Sequence, residues 1–136
     1  TYEPEQEFDA VVLDAPCSAT GTIRRHPDLP YVKSGAALDE LFELQKQLLD
    51  TAYGMLKPGG RMVYCTCSLL SEEGEQQIKH GRTRLGFEVS DIPFEALGMN
   101  PDWAARDDTG LRLRPDYWSE QGGMDGFFIT LLRKPN

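Results

Sequence analysis

The chain has 136 residues, 40% of them hydrophobic, enough for one modest core and too few for two. Its formal net charge of −8 and isoelectric point near 4.7 exclude the basic surface with which a free-standing nucleic-acid binder neutralises phosphates. No run approaches the roughly eighteen apolar residues of a membrane span, and the first six residues are too polar for a signal peptide. A cytoplasmic location and no membrane partner are therefore expected.

Phe8 to Leu13 (FDAVVL) is a short apolar run rich in β-branched residues and predicts a buried strand. From Ala15 to Gly35 several glycines and prolines predict a long irregular loop over the C-terminal end of that strand. Leu38, Leu41, Phe42, Gln45, Leu48, Leu49, Ala52, Tyr53 and Leu56 follow helical spacing, which predicts a helix from about Ala37 to Met55, stopped by Lys57-Pro58-Gly59-Gly60. Arg61 to Cys67 (RMVYCTC) reads as a second strand. Ser71 can then cap a helix running to about Arg84, with acidic residues in its first turn. Phe87-Glu88-Val89, Leu111-Arg112-Leu113 and Gly126 to Arg133 are the remaining strand candidates. Two strands flanking a helix imply a right-handed crossover and a parallel pair, so the fold class is α/β.

Cys67 falls where the second strand gives way to a loop and a helix N-terminus, surroundings that stabilise the nucleophilic thiolate. A buried thiol acting as a small hydrophobe is the competing account. Cys65, two residues earlier, should share that face at a deeper level and serve the structure. Asp14-Ala15-Pro16-Cys17 joins an acid expected to be buried at a strand end, a proline that stiffens the turn, and a second thiol. Asp14 can cap the loop through backbone N–H groups or hold a substrate amine or ring nitrogen. Ligands of open α/β sheets bind beyond the carboxyl ends of the strands, so Asp14, Cys17 and Cys67 are expected around one crevice. Three cysteines that include a C-x-C make neither a disulfide framework nor an ordinary zinc module, so reduced thiols and no metal are expected. Arg24 and Arg25 can contact backbone phosphate or stand as solvated loop charges. The acidic run Glu72 to Glu75 reads as a solvated helix face, and Trp103, Tyr117 and Trp118 read as packing residues rather than base-stacking platforms.

These motifs together carry a resemblance. D-A-P-C-S-A-T-G (Asp14 to Gly21), R-R-H-P-D (Arg24 to Asp28), L-K-P-G-G (Leu56 to Gly60), Y-C-T-C-S (Tyr64 to Ser68) and M-D-G-F-F (Met124 to Phe128) resemble, in order and over nearly the whole chain, the Sun/Fmu (RsmB-like) RNA cytosine-5-methyltransferases. The resemblance implies the C-terminal half of a Rossmann-like class I methyltransferase sheet, mixed and mostly parallel. It also implies that residues 1–136 form one partial catalytic domain whose N-terminal cofactor-binding half is absent, because the chain contains no G-x-G.

By the same resemblance Cys67 is the nucleophile that adds to C6 of a target cytosine, and Cys17 resolves the adduct. Asp14 serves both the base and the cofactor, S-adenosylmethionine, which Asp14 and Pro16 would contact. RNA is the implied partner, ribosomal rather than transfer RNA, with Arg24 and Arg25 as candidate RNA contacts. The isolated chain is expected to be inactive and to associate as a homodimer through the exposed edge of its first strand. A catalytically silent methyltransferase-like interaction domain is the alternative.

Overall fold

The computed structural model describes residues 7–32, 35–105 and 107–136. In chain order the elements are β1 (Phe8–Asp14), α1 (Leu29–Val32), α2 (Gly35–Met55), β2 (Leu56–Thr66), α3 (Glu75–Leu85), β3 (Glu88–Ser90), β4 (Leu111–Leu113) and β5 (Phe127–Arg133). Short 3-10 turns lie at Thr20–Thr22, Ser71–Glu73, Pro101–Trp103 and Ser119–Gln121. The five strands form one mixed sheet, ordered β1-β2-β5-β3, with β4 also pairing with β5. β1 and β2 are parallel, as a crossover through a helix requires. The ladders that β5 makes with β2, β3 and β4 are antiparallel, so the parallel pairing of this mixed sheet is confined to its first ladder.

Alternation decides which strand residues enter the core. On one face Met62 and Tyr64 of β2 and Phe128 and Leu132 of β5 are fully buried, and they cluster with Leu49 and Ala52 of α2, Ile78 of α3 and Phe87. In α2 the buried positions Gln45, Leu49 and Ala52 recur at helical spacing, and Val11 and Leu13 of β1 pack against the same cluster. Phe8 and Val12 alternate with these and remain exposed.

Several boundaries depart from expectation. β2 begins at Leu56 rather than Arg61. The Lys57-Pro58-Gly59-Gly60 stop is absorbed into it as an irregularity, the register jumping from Phe8↔Leu56 to Ala10↔Arg61. Gly59 takes a left-handed φ of 75° there, and its N–H reaches the Lys134 carbonyl at 3.0 Å. The region expected to be an irregular loop before Gly35 contains the turn at Thr20–Thr22 and the short α1.

Ser71 does not cap α3. Gly74 occupies that position without a side-chain cap, and the Ser71 hydroxyl instead lies 3.3 Å from Glu72 and from Gln76. Trp103 is buried and stacks on Tyr117 at 5.4 Å, while Trp118 packs edge-on against it and stays half exposed. Among the described residues no helix is long and apolar enough to cross a membrane.

Candidate active site

β1 and β2 are neighbouring parallel strands, so their C-terminal ends finish side by side and the loops that follow meet. The Ala15 N–H continues the ladder to the Cys65 carbonyl at 3.0 Å. Further on, the Gly21 N–H donates to the Cys67 carbonyl at 2.9 Å, and the Gly126 N–H donates to the Gly21 carbonyl at 2.7 Å. Three of the sequence motifs are thereby joined main chain to main chain. A Cβ at Gly21 would lie 2.0 Å from the Gly126 oxygen and 2.8 Å from the Cys67 oxygen, so only glycine permits this approach.

The consequence is a pair of half-buried thiols. Cys17 Sγ and Cys67 Sγ stand 3.5 Å apart, in contact but not bonded. Burial, with smaller contributions from Cys67 and Glu73, pushes the Cys17 thiol up to about 12, so it keeps its proton at neutral pH and faces the Cys67 sulfur as a thiol. Cys65 is buried, its Sγ 3.8 Å from Asp14 Oδ1. Its thiol is pushed up to about 11, first by burial and then by the Asp14 carboxylate.

Asp14 is exposed rather than buried: it ends an edge strand and shares the alternation of the exposed Val12, opposite to that of Val11 and Leu13, which pack against the core. Pro16, two residues on, is exposed as well. Arg24 donates from Nη2 to the Gly122 carbonyl at 2.5 Å, and Arg25 forms an ion pair with Asp125 at 2.7 Å. Both arginines stay exposed, Arg25 tying their loop to the M-D-G-F-F segment and Arg24 to Gly122 just before it.

The acidic run is not the solvated face expected of it. Glu75 pairs with Arg112 at 2.6 Å, both side chains largely covered, and Arg112 also donates to the Ser68 carbonyl. Glu73 is fully buried and accepts hydrogen bonds from Ser18, Ser68 and Gln45. Its neighbours in sequence give no sign of this. The available signal is Gln45, a polar residue placed within an otherwise apolar helical stripe.

Solved structures place this architecture among Rossmann-like methyltransferases. A methyltransferase homolog protein from Pyrococcus horikoshii superposes with a TM-score of 0.71 at 31% identity, covering 95% of this chain and 40% of that one. NSun6 from the same organism, solved with SFG, gives a TM-score of 0.73 at 28% identity over 98% of this chain and 32% of its own. The pattern of the family described as 16S rRNA methyltransferase RsmB/F matches residues 1–133, and the chain belongs to that family. Ribosomal RNA small subunit methyltransferase B of Salmonella paratyphi A is 44% identical over 132 residues, and that of Shewanella oneidensis is 40% identical over 129. The chain spans 27% and 28% of the length of these two relatives.

Proposed function

We propose that this chain carries the nucleophile-bearing part of an S-adenosylmethionine-dependent RNA cytosine-5-methyltransferase acting in the cytoplasm on small-subunit ribosomal RNA. The observation that supports it is the 3.5 Å thiol pair at the carboxyl ends of two parallel strands. Cys67 adds to C6 of the target cytosine, and the displaced electron pair makes C5 nucleophilic. When bound, the cofactor supplies an electrophilic methyl carbon. After C5 is methylated, its proton passes to solvent, the C5–H electron pair restores the C5–C6 double bond, and Cys67 leaves as the thiolate that added. Covalent addition thus divides one difficult substitution into easier steps.

Cys17, whose Sγ meets the Cys67 Sγ from a separate loop, is assigned the release step that the family resemblance implies for it. The exposed Asp14 carboxylate suits an amino group of the cofactor or the polar edge of the cytosine, which are donors it can accept from. Pro16 forms the adjoining wall. Arg24 and Arg25, exposed on the loop that leaves Cys17, are the proposed RNA contacts. A paired base would have to leave its stack to reach these thiols.

The test is trapping on RNA that carries 5-fluorocytosine, whose C5 cannot lose a proton, in a polypeptide of the relatives' full length bearing this segment. A covalent complex is expected, absent in Cys67→Ala. With ordinary RNA, Cys17→Ala should accumulate adduct that the parent releases. An undiminished adduct in Cys67→Ala overturns the assignment.

A further inference from the structure

A fully buried carboxylate is rare, because its desolvation must be offset by hydrogen bonds on every side. Glu73 meets that requirement from three separate elements. Its Oε2 accepts the Ser18 backbone N–H at 2.8 Å and Gln45 Nε2 at 2.9 Å. Its Oε1 accepts the Ser68 hydroxyl at 2.7 Å and the Ser18 hydroxyl as well. The same Gln45 amide reaches back to the Pro16 carbonyl at 2.9 Å, and the Tyr64 hydroxyl donates to the Glu73 carbonyl at 2.8 Å. Ser18 directly follows Cys17 and Ser68 directly follows Cys67. The carboxylate therefore grips each cysteine loop one residue from its sulfur.

We propose that Glu73 is a positioning residue, whose carboxylate gathers Ser18, Ser68 and Gln45 and thereby sets the spacing of the Cys17 and Cys67 sulfurs. It deepens the reading of that pair as nucleophile and release group, and it rests on that reading. An apolar residue of equal size would fill the space but take the acceptor from the Ser18 N–H and from one of the two Gln45 amide hydrogens, the other keeping the Pro16 carbonyl. Glutamine is different. Its oxygen can take the place of Oε2, and its amide can face the two serine hydroxyls, which accept as readily as they donate.

Thiol placement can be read directly on the 136-residue chain. In a Cys65→Ala background the reagent is dibromobimane, which becomes fluorescent once two thiols have displaced both of its bromides. The rate of the second displacement reports how closely the two sulfurs are held. The parent chain should bridge Cys17 to Cys67 rapidly. Glu73→Ala should slow the second displacement by about tenfold or more without slowing the first, since small misplacements cost large factors in such intramolecular steps. Glu73→Gln should recover most of the rate.

A carboxylate that merely supports the fold would lower the urea midpoint of Glu73→Ala and leave bridging by the folded chain unchanged, and that result overturns the proposal. Should Glu73→Ala not fold, the Ser18→Ala/Ser68→Ala double variant removes both hydroxyl donors to Oε1 and keeps both donors to Oε2. Unchanged bridging there overturns it too, as does an absence of bridging in the parent. Intact bridging behaviour alongside failed 5-fluorocytosine trapping would reject the transfer chemistry while leaving the positioning role in place.

Discussion

Burial holds the Cys17 and Cys65 thiols in their protonated forms to about 12 and about 11, against an ordinary value of 9.0. Above pH 9 the unfolded chain releases these protons while the folded chain retains them, so the unfolded state binds fewer protons and folding stability falls as pH rises through that window. Urea midpoints measured from about pH 8 to about pH 10.5 should therefore decline more steeply for the parent than for a Cys17→Ala/Cys65→Ala variant. Parallel declines would show that burial of these thiols does not govern the alkaline limb. Gly21 supplies a second prediction at this scale. A methyl group there must displace the main chain of Gly126 or Cys67, and neither is a flexible side-chain tip. Gly21→Ala should cost about 2–3 kcal/mol of stability, at the upper end for overpacking. It should also slow bridging of the sulfur pair, and a urea midpoint equal to the parent's would contradict the close approach.

Among the described elements β1 leaves a long apolar edge exposed. It lies at the sheet edge with one ladder, and Val12 is 73% exposed on the face turned from the helices. Unpaired strand edges recruit other chains, and a two-fold pairing is the simplest closed arrangement. The purified chain should sediment as a concentration-dependent dimer that Val12→Lys weakens. A monomer at every concentration excludes the dimer, and a dimer indifferent to the substitution places the interface elsewhere. The elements that periodicity located are those whose residues answer to their own neighbours: β1, α2 and the apolar stretch of β2. The N-terminal part of β2 was hidden because proline and two glycines suggest a turn, whereas here they form an irregular strand pinned by Lys134. The thiol pair was legible, since two motifs at the ends of parallel strands must meet. Glu73 was not, because Gly74 interrupts helical periodicity before α3 and the Ser18 donor lies 55 positions away in sequence. The burial of Asp14 was misjudged for a related reason: a strand end is covered only when another element lies over it, and sequence does not reveal that neighbour.

At the scale of the whole molecule, the proposed chemistry needs two surfaces: one that presents sulfur to a base, and one that holds a nucleoside-bearing cofactor. The first is assembled here from residues of two loops and α3's approach turn. For the second, the chain offers the exposed Asp14 carboxylate and Pro16, and no G-x-G loop through which backbone N–H groups and a helix N-terminus could approach the rest of a cofactor. A single solvated carboxylate contributes little binding free energy, because the ligand amine must give up water to reach an acid that water already satisfies. The net charge of −8 does attract the cationic sulfonium and amine, but screening at physiological salt confines that attraction to roughly 8 Å. The 136-residue chain alone should therefore show no saturable S-adenosylmethionine binding at micromolar ligand in calorimetric titration. Tight stoichiometric binding, lost in Asp14→Ala, would show instead that the residues around Asp14 suffice to hold the cofactor and that a Gly-rich loop is dispensable for its affinity.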